Sequence, residues 1–480
     1  MIQTAWLSAN KGYLRQILVC CAVSILPFVY GLVQTWPNLA IEEILKGEAG
    51  FAVEPEDIAV IVSMVTLGEF LMPVLFGFVL VRLGRKTNML LNALIYAVAW
   101  ALIIFARSPF WLVAANFAAG LGCGIILIIG PIYMAEIADS KIRGALISVY
   151  ITVIAVGQIF MTSVGIFISY FDMNLIALIL SIVAFFCILV IAVESPSWHL
   201  IDNDEVKAEE SFNYYWNTGE EADRPQAGEA LAELKETVKL EMESSSSYLE
   251  LFRTPSNIRA SIIVITLSFF QGASGIVAVL TYGSTTLPRY DGFWKPYPTM
   301  ALVSALNLVF NLVSIALIDK LGRRPLSIIS NAGDALGTGV VAFYFFLDQN
   351  TEWDTTNIKW LPYIGMILYI SSYGGAMAVI PHILVGELFP ANVRYHASVV
   401  SVICIAGSCA LFNYIYLGVS RAVGVAAMFA IFTVCSFAAA IFSWLYVFET
   451  KNMSLSEIQA IMTGRQRTGS RPSHELNDLS

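Results

Sequence analysis

The chain has 480 residues, of which 57% are hydrophobic and only 13% charged, with a mean hydropathy of +0.72. An ordinary soluble domain is about 25% charged, so a soluble enzyme is excluded, and a formal charge of −9 with pI near 5.1 leaves no basic footprint for nucleic acid. The apolar runs are continuous over about twenty residues rather than alternating over ten, which predicts membrane-spanning helices and not a barrel.

Six such runs precede residue 194, near 15–36, 57–81, 87–106, 109–134, 144–170 and 173–193. The first follows Lys11 and Arg15 but is too long for a signal peptide and lacks a small-residue cleavage site, so it reads as the first span. Next comes a polar stretch over 194–257. Within it, Leu231, Leu234, Val238 and Leu240/Met242 recur at near-helical spacing among Glu and Lys from Glu229 to Glu243, predicting a short amphipathic helix that ends at the Ser244–Ser247 run. Six more apolar runs follow, near 258–282, 299–318, 326–347, 361–386, 395–419 and 422–447, and the Arg- and Ser-rich tail after Gly464 is expected to be disordered.

This pattern predicts an all-α integral membrane protein. Residues 1–193 would form one six-helix bundle, 194–257 a cytoplasmic linker with short amphipathic helices, 258–447 a second bundle and 448–480 a cytoplasmic tail. If both termini are cytoplasmic, only six of the 27 Lys and Arg lie outside: Lys46, Arg107, Arg289, Lys295, Lys359 and Arg421. The positive-inside rule therefore places both ends inside. The seven cysteines all fall within apolar runs, where they act as small hydrophobes, and no disulfide, metal site or cofactor is expected.

An internal repeat supports the division. Arg82-Leu83-Gly84-Arg85-Lys86 follows the second span and Asp319-Lys320-Leu321-Gly322-Arg323-Arg324 follows the eighth. In each, glycine permits a tight turn and the arginines can reach carboxylates and helix ends.

From these residues onward the chain resembles the sugar-porter branch of the major facilitator superfamily, over about residues 13–460. The motifs occur in order: Gly77 to Lys86; Pro131-Ile132-Tyr133-Met134-Ala135-Glu136-Ile137 with Arg143-Gly144; Glu194-Ser195-Pro196; Ser274-Gly275-Ile276; Gly386-Glu387-Leu388-Phe389-Pro390 with Arg394; and Glu449-Thr450-Lys451 before Ser454-Leu455-Ser456-Glu457-Ile458. Within that branch the texture is most similar to insect facilitated trehalose transporters. The chain also departs from the pattern. Val81 stands for the usual Asp, Asn116 for an Arg, Ser197 for the Arg of the third motif, and no acid lies between Ile17 and Pro37.

The resemblance implies a twelve-helix, two-bundle fold that works by alternating access. It nominates a cytoplasmic gate of Glu136 and Arg143 against Glu387 and Arg394, cross-paired between halves, with Gly84, Arg85, Asp319, Arg323 and Arg324 serving the loops. Exposed pairs of this kind are worth about 0–1 kcal/mol each, weak enough to re-solvate when a gate opens. Of nine sugar-contacting positions it implies, three are retained: Gln158, Gln271 and Asn307. Six are replaced, by Ile151, Gly272, Val277, His382, Ile405 and Ala406. Tyr282, Asn311, Tyr369, Tyr373 and Asn413 are available to compensate. Two acids, Glu69 and Asp334, lie inside spans, where a charge costs at least about 2.5 kcal/mol. Each is expected to face a cavity or a partner, with Glu69 the candidate for proton coupling.

The expected function is facilitative uniport of trehalose or a hexose by a plasma-membrane protein acting as a monomer. The partners are then the carbohydrate and the lipid bilayer, with no nucleic acid. A proton-coupled symporter using Glu69 and a non-transporting sugar sensor are the alternatives.

Overall fold

The computed structural model describes residues 11–78, 83–139, 142–216, 224–243, 248–288, 295–451, 453 and 455–462. Val81, the Ser244–Ser247 run and the tail after Gly464 lie outside the described residues.

The first half contains α1 (Lys11–Thr35), α2 (Pro37–Leu45), α3 (Pro55–Phe78), α4 (Arg85–Ile104), α5 (Pro109–Ile137), α6 (Arg143–Val164) and α7 (Tyr170–Ile191). Three helices follow in the linker: α8 (Pro196–Ile201), α9 (Glu205–Trp216) and α10 (Arg224–Glu243). The second half contains α11 (Pro255–Ala273), α12 (Ile276–Thr286), α13 (Pro296–Leu321), α14 (Arg323–Asn350), α15 (Leu361–Ser372), α16 (Ile380–Leu388), α17 (Ala391–Ala422) and α18 (Val425–Tyr446), and α19 (Leu455–Met462) closes the described chain. Among the described residues, twelve helical segments are long and apolar enough to cross a membrane, and they coincide with the twelve apolar runs.

The starts of these helices are written locally. Pro109 and Pro255 occupy first-turn positions where no N–H is needed. The Ser169 and Thr254 hydroxyls accept from Asp172 N and Asn257 N at 3.1 and 3.4 Å. Close packing then depends on small residues. A Cβ at Gly68 would strike the α5 backbone at Phe117, and one at Gly31 would strike the α6 backbone at Ile154 and Gln158.

Two spans are broken. Gly275 sits between α11 and α12 with φ +91, a left-handed conformation open to glycine, and an added Cβ would also meet the Phe432 ring. Between α15 and α16, residues Tyr373–Met377 form one π-helical turn. Pro381 predicts a break with freed backbone beside Gly374-Gly375; the π turn spans that pair, and Met377 N is satisfied by Ser330 Oγ at 3.1 Å.

Within the halves, α3 packs on α5, α1 on α6, α14 on α18 and α11 on α17; between them, α3 meets α17, α6 meets α13 and α2 meets α12. The linker lies on the face that holds both ends of the described chain. Arg15 Nη1 and Gln16 Nε2 donate to the Tyr214 and Tyr215 carbonyls of α9 at 2.8 and 3.0 Å, and Arg259 Nη1 donates to Met462 O at 2.7 Å. This is called the linker side below, and the opposite face the far side.

Candidate functional site

On the linker side the two halves repeat one polar arrangement. Arg85, opening α4, donates from Nε to both Glu136 carboxylate oxygens at 3.2 Å and from Nη2 to Oε1 at 3.0 Å. The Ser195 hydroxyl also donates to Glu136. In the second half Arg323, opening α14, donates to Glu387 Oε1 from Nε at 3.0 Å and Nη2 at 2.8 Å, while Thr450 Oγ1 donates to Glu387 Oε2 at 2.6 Å. Both pairs are largely sheltered, with side-chain exposures of 14% and 16% in the first and 14% and 23% in the second.

A second carboxylate in each half caps the same helix. Glu194 accepts from the Lys86 backbone N–H at 2.9 Å, and Glu449 accepts from the Arg323 and Arg324 backbone N–H groups at 2.9 and 3.2 Å. A negative charge at a helix N-terminus is favoured by the unpaired N–H groups and by the helix dipole. The approach is close enough that a Cβ at Gly84 or Gly322 would collide with Glu194 or Glu449 respectively. Burial alone would raise the Glu449 carboxyl, but the backbone N–H groups of Arg323, Lys451, Arg324 and Thr450 hold it below the usual carboxylate range.

With the far side closed, the expected pairing between halves is not formed, and each carboxylate is held within its own half. Glu136 takes its arginine from its own half, and so does Glu387. Arg143 Nη2 turns to Ala138 O at 3.5 Å and Arg394 Nη2 to Phe389 O at 3.3 Å, each reaching back five residues to cap its own loop. Arg324 Nη2 binds Trp444 O at 2.6 Å. The Asp319 side chain lies outside the described residues. Glu194-Ser195 and Glu449-Thr450 stand in the sequence as motifs without a role; the geometry makes each acid a helix cap and each hydroxyl a donor to Glu136 or Glu387. The signal was available: an acid followed at once by a hydroxyl residue recurs after the sixth and twelfth spans.

Between the halves, Gln158 on α6 and Asn307 on α13 stand on helices that pack together, and Gln271 ends α11 beside the Gly275 break. All three are buried. Gln271 Nε2 donates to Tyr373 OH and Ala378 O, both at 3.3 Å, while its Oε1 has no partner; Gln158 Oε1 has none either. Asn307 Oδ1 accepts from Asn311 at 2.8 Å. Tyr369 shares a 3.1 Å hydrogen bond with Ser274, and the Tyr282 hydroxyl is buried without a partner. Of the replaced positions, Gly272 abuts Ser408 and Cys409, Ala406 is buried, Val277 and Ile405 are half-buried, and Ile151 and His382 are exposed.

Glu69 has partners. Its carboxylate accepts from Tyr30 OH and Gln34 Nε2, each at 3.1 Å. Asp334 is fully buried on α14 and neither carboxylate oxygen has a partner.

The far side is closed by hydrogen bonds between halves. Asn38 Nδ2 donates to Leu280 O, Asn38 Oδ1 accepts from Ser284 N at 3.1 Å, and Tyr297 OH donates to Glu42. A gate on one face, matched charge sets on the other and uncharged amides between them suit alternating exposure of a neutral polar solute.

Comparison with known proteins adds the family. The sequence model described as "Sugar (and other) transporter" matches residues 19–462. A facilitated trehalose transporter from Polypedilum vanderplanki is 26% identical over 467 residues, covering 96% of this chain and 90% of that protein. One from Drosophila mojavensis is 25% identical over 96% of this chain, which spans only 53% of that longer protein. Among solved structures, the xylose transporter XylE of E. coli in an inward-open conformation superimposes with TM-score 0.74 at 20% identity, covering 93% of this chain and 99% of that one.

Proposed function

Because the chain belongs to the sugar (and other) transporter family and has the twelve-helix major facilitator fold, we propose that it carries trehalose or a hexose across the plasma membrane by facilitative alternating access, leaving the sugar chemically unchanged. One observation carries the reading at the level of residues. The side-chain oxygens of Gln158 and Gln271, on helices from opposite halves, are buried without partners. A buried polar atom left unpaired costs about 1–3 kcal/mol, so it calls for a ligand or water to complete it. Sugar hydroxyls are suited to that role, with Asn307 contributing from the second half.

In this reading residues 1–193 and 258–447 are the two moving bundles. The linker side, which holds most of the Lys and Arg, faces the cytoplasm. The paired sets around Glu136 and Glu387 keep each half rigid there, and one chain suffices for transport. Uptake of labelled trehalose, glucose, fructose and a polyol into proteoliposomes, with and without a pH gradient, tests it. Saturable uptake of trehalose or a hexose that is indifferent to the gradient is expected. Uptake that requires the gradient would establish a proton-coupled cycle instead, and sugar binding without uptake would establish a sensor.

A further inference from the structure

Between the buried amides and the far-side closure lies a polar seam that the proposed function does not use. Its polar lining comes from Gln34 and Thr66 of the first half and from Thr281 and Asn413 of the second, set among four valines and Pro37. Gln34 bridges Tyr30 OH at 3.0 Å and Glu69 Oε2 at 3.1 Å, placing the Glu69 carboxylate directly behind the seam. Across it, Asn413 is 1% exposed, yet neither atom of its carboxamide has a partner. Its four hydrogen-bonding positions are therefore idle in a place where an unpaired polar atom is costly. The Glu69 carboxylate accepts two hydrogen bonds and retains capacity for about two more. Among the described residues, no Lys or Arg lines the seam.

The height of this seam follows from the helices. Gly31 lies against the backbone of Gln158, and Gln34 is three residues, about 4.5 Å, farther toward the far side. Gly272, next to Gln271, lies against Cys409, and Asn413 is four residues, about 6 Å, farther in the same direction. Both walls thus present a second polar level one helical turn beyond the first. With the far side closed, the cavity is only about 10 Å³, room for one water. Pro37 and Thr281 in its wall adjoin Asn38 and Leu280 of the far-side closure, so releasing that closure opens the seam.

From this arrangement we infer that Gln34, Glu69 and Asn413 form a second hydroxyl-binding subsite, which makes the protein selective for a disaccharide over a single hexose. The inference rests on the proposed function. The first level, with Gln158 and Gln271, grips one ring; Asn413 and Glu69 grip hydroxyls of the other when the far side is open. An uncharged polyol suits a wall of two carboxamides and two threonine hydroxyls among valines and a proline, with the Glu69 carboxylate behind Gln34.

The test is sugar binding and uptake by the purified full-length protein and its Asn413→Leu and Glu69→Gln variants, with trehalose and glucose as probes. Each variant is expected to raise the trehalose half-saturation concentration about five- to twentyfold, matching one or two lost hydrogen bonds, and to leave glucose within about twofold. Asn413 has no hydrogen bond to lose in the closed state, so Asn413→Leu should keep or raise the thermal midpoint, unlike the loss of a packing residue. Equal weakening of both sugars, or unchanged trehalose affinity with a lost pH dependence in Glu69→Gln, would overturn the subsite while leaving transport standing. A native protein that binds neither sugar would overturn the functional reading and the subsite with it.

Discussion

Asn38 and Ser284 join the two halves across a single rung of helix α12. The Asn38 side chain donates to Leu280 O and accepts from Ser284 N, which are the acceptor and donor positions of one i to i−4 step, while Ser284 Oγ returns a 2.7 Å bond to Asn38 O. Removing the amide leaves those two backbone groups able to satisfy each other, so the cost falls on closure of the far side rather than on the fold. Asn38→Ala should weaken that closure by about 1–2 kcal/mol, shifting the conformational balance roughly five- to thirtyfold toward far-side opening, with little change in thermal midpoint. Spin-label distances across the far side would report it; an unaltered distance distribution would show that Asn38 does not latch the halves.

The matched pairs on the other face lead to a different outcome. Arg85–Glu136 and Arg323–Glu387 each tie elements of one half. Breaking a buried pair costs about 3–5 kcal/mol, and the partial access of these side chains to water should reduce this to about 1–3 kcal/mol. Arg323→Ala should therefore lower stability of the second half. The exchange Arg85→Glu with Glu136→Arg should restore part of what either single change loses, whereas Arg394→Glu with Glu136→Arg should not. Thermal unfolding of the three single variants Arg85→Glu, Arg394→Glu and Glu136→Arg and of the two double variants closes both cycles, with Arg323→Ala measured beside them. Recovery in the Arg394 exchange would return the pairing to the space between halves.

Twelve spans were legible because lipid demands long apolar helices, and the helix inferred over Glu229–Glu243 lies within the observed α10. Helix α9 was not, because its burial of Phe212 and Tyr215 depends on α1, whose Arg15 and Gln16 grip its end. The break near Pro381 was legible from the ring that cannot donate, but the π turn at Tyr373–Met377 needs Ser330 from another helix. Likewise, motif spacing brought Glu136 and Glu387 into view and could not choose their partners. In this conformation Arg85 and Arg323, which open α4 and α14, bind the carboxylates, while Arg143 and Arg394 bind carbonyls of their own loops. The Asn38 latch carries no sequence signal beyond a polar residue following Pro37.

Glu449 gives the linker side a defined response to acid. Its carboxyl is held below the ordinary range because the backbone donors at the start of α14 outweigh partial burial. For a depressed carboxyl, the ionised group's stabilising contribution is fully present above the unfolded value of about 4.3 and is lost as pH falls through the lower folded value. Glu449→Gln should therefore lower the thermal midpoint at pH 7, and the gap from the native protein should narrow as pH falls below about 4.3 and close once the native carboxyl is protonated. A gap that stays constant with pH would mean that Glu449 acts by packing alone.

Gln271 joins the substrate question to the shape of the tenth span. Its Nε2 reaches Tyr373 OH at the first residue of the π turn and Ala378 O just past its end, and its Oε1 is buried without a partner. One end of the amide thus holds a broken helix while the other waits for a donor. Gln271→Ala should raise the half-saturation concentration for the transported sugar about three- to thirtyfold, matching one or two lost hydrogen bonds. It should also lower the thermal midpoint of the sugar-free protein, because the π turn loses its brace. The two effects separate when sugar is added. Ligand that completes the free oxygen stabilises the native protein in proportion to its affinity, so the variant should show a smaller midpoint rise at equal sugar concentration. Gln158→Ala should reproduce the weakened binding without touching the tenth span. If Gln271→Ala lowers the midpoint while the surviving protein keeps its half-saturation concentration and its full response to sugar, then the amide serves the helix break only, and recognition must lie with Gln158, Asn307 and the far-side seam.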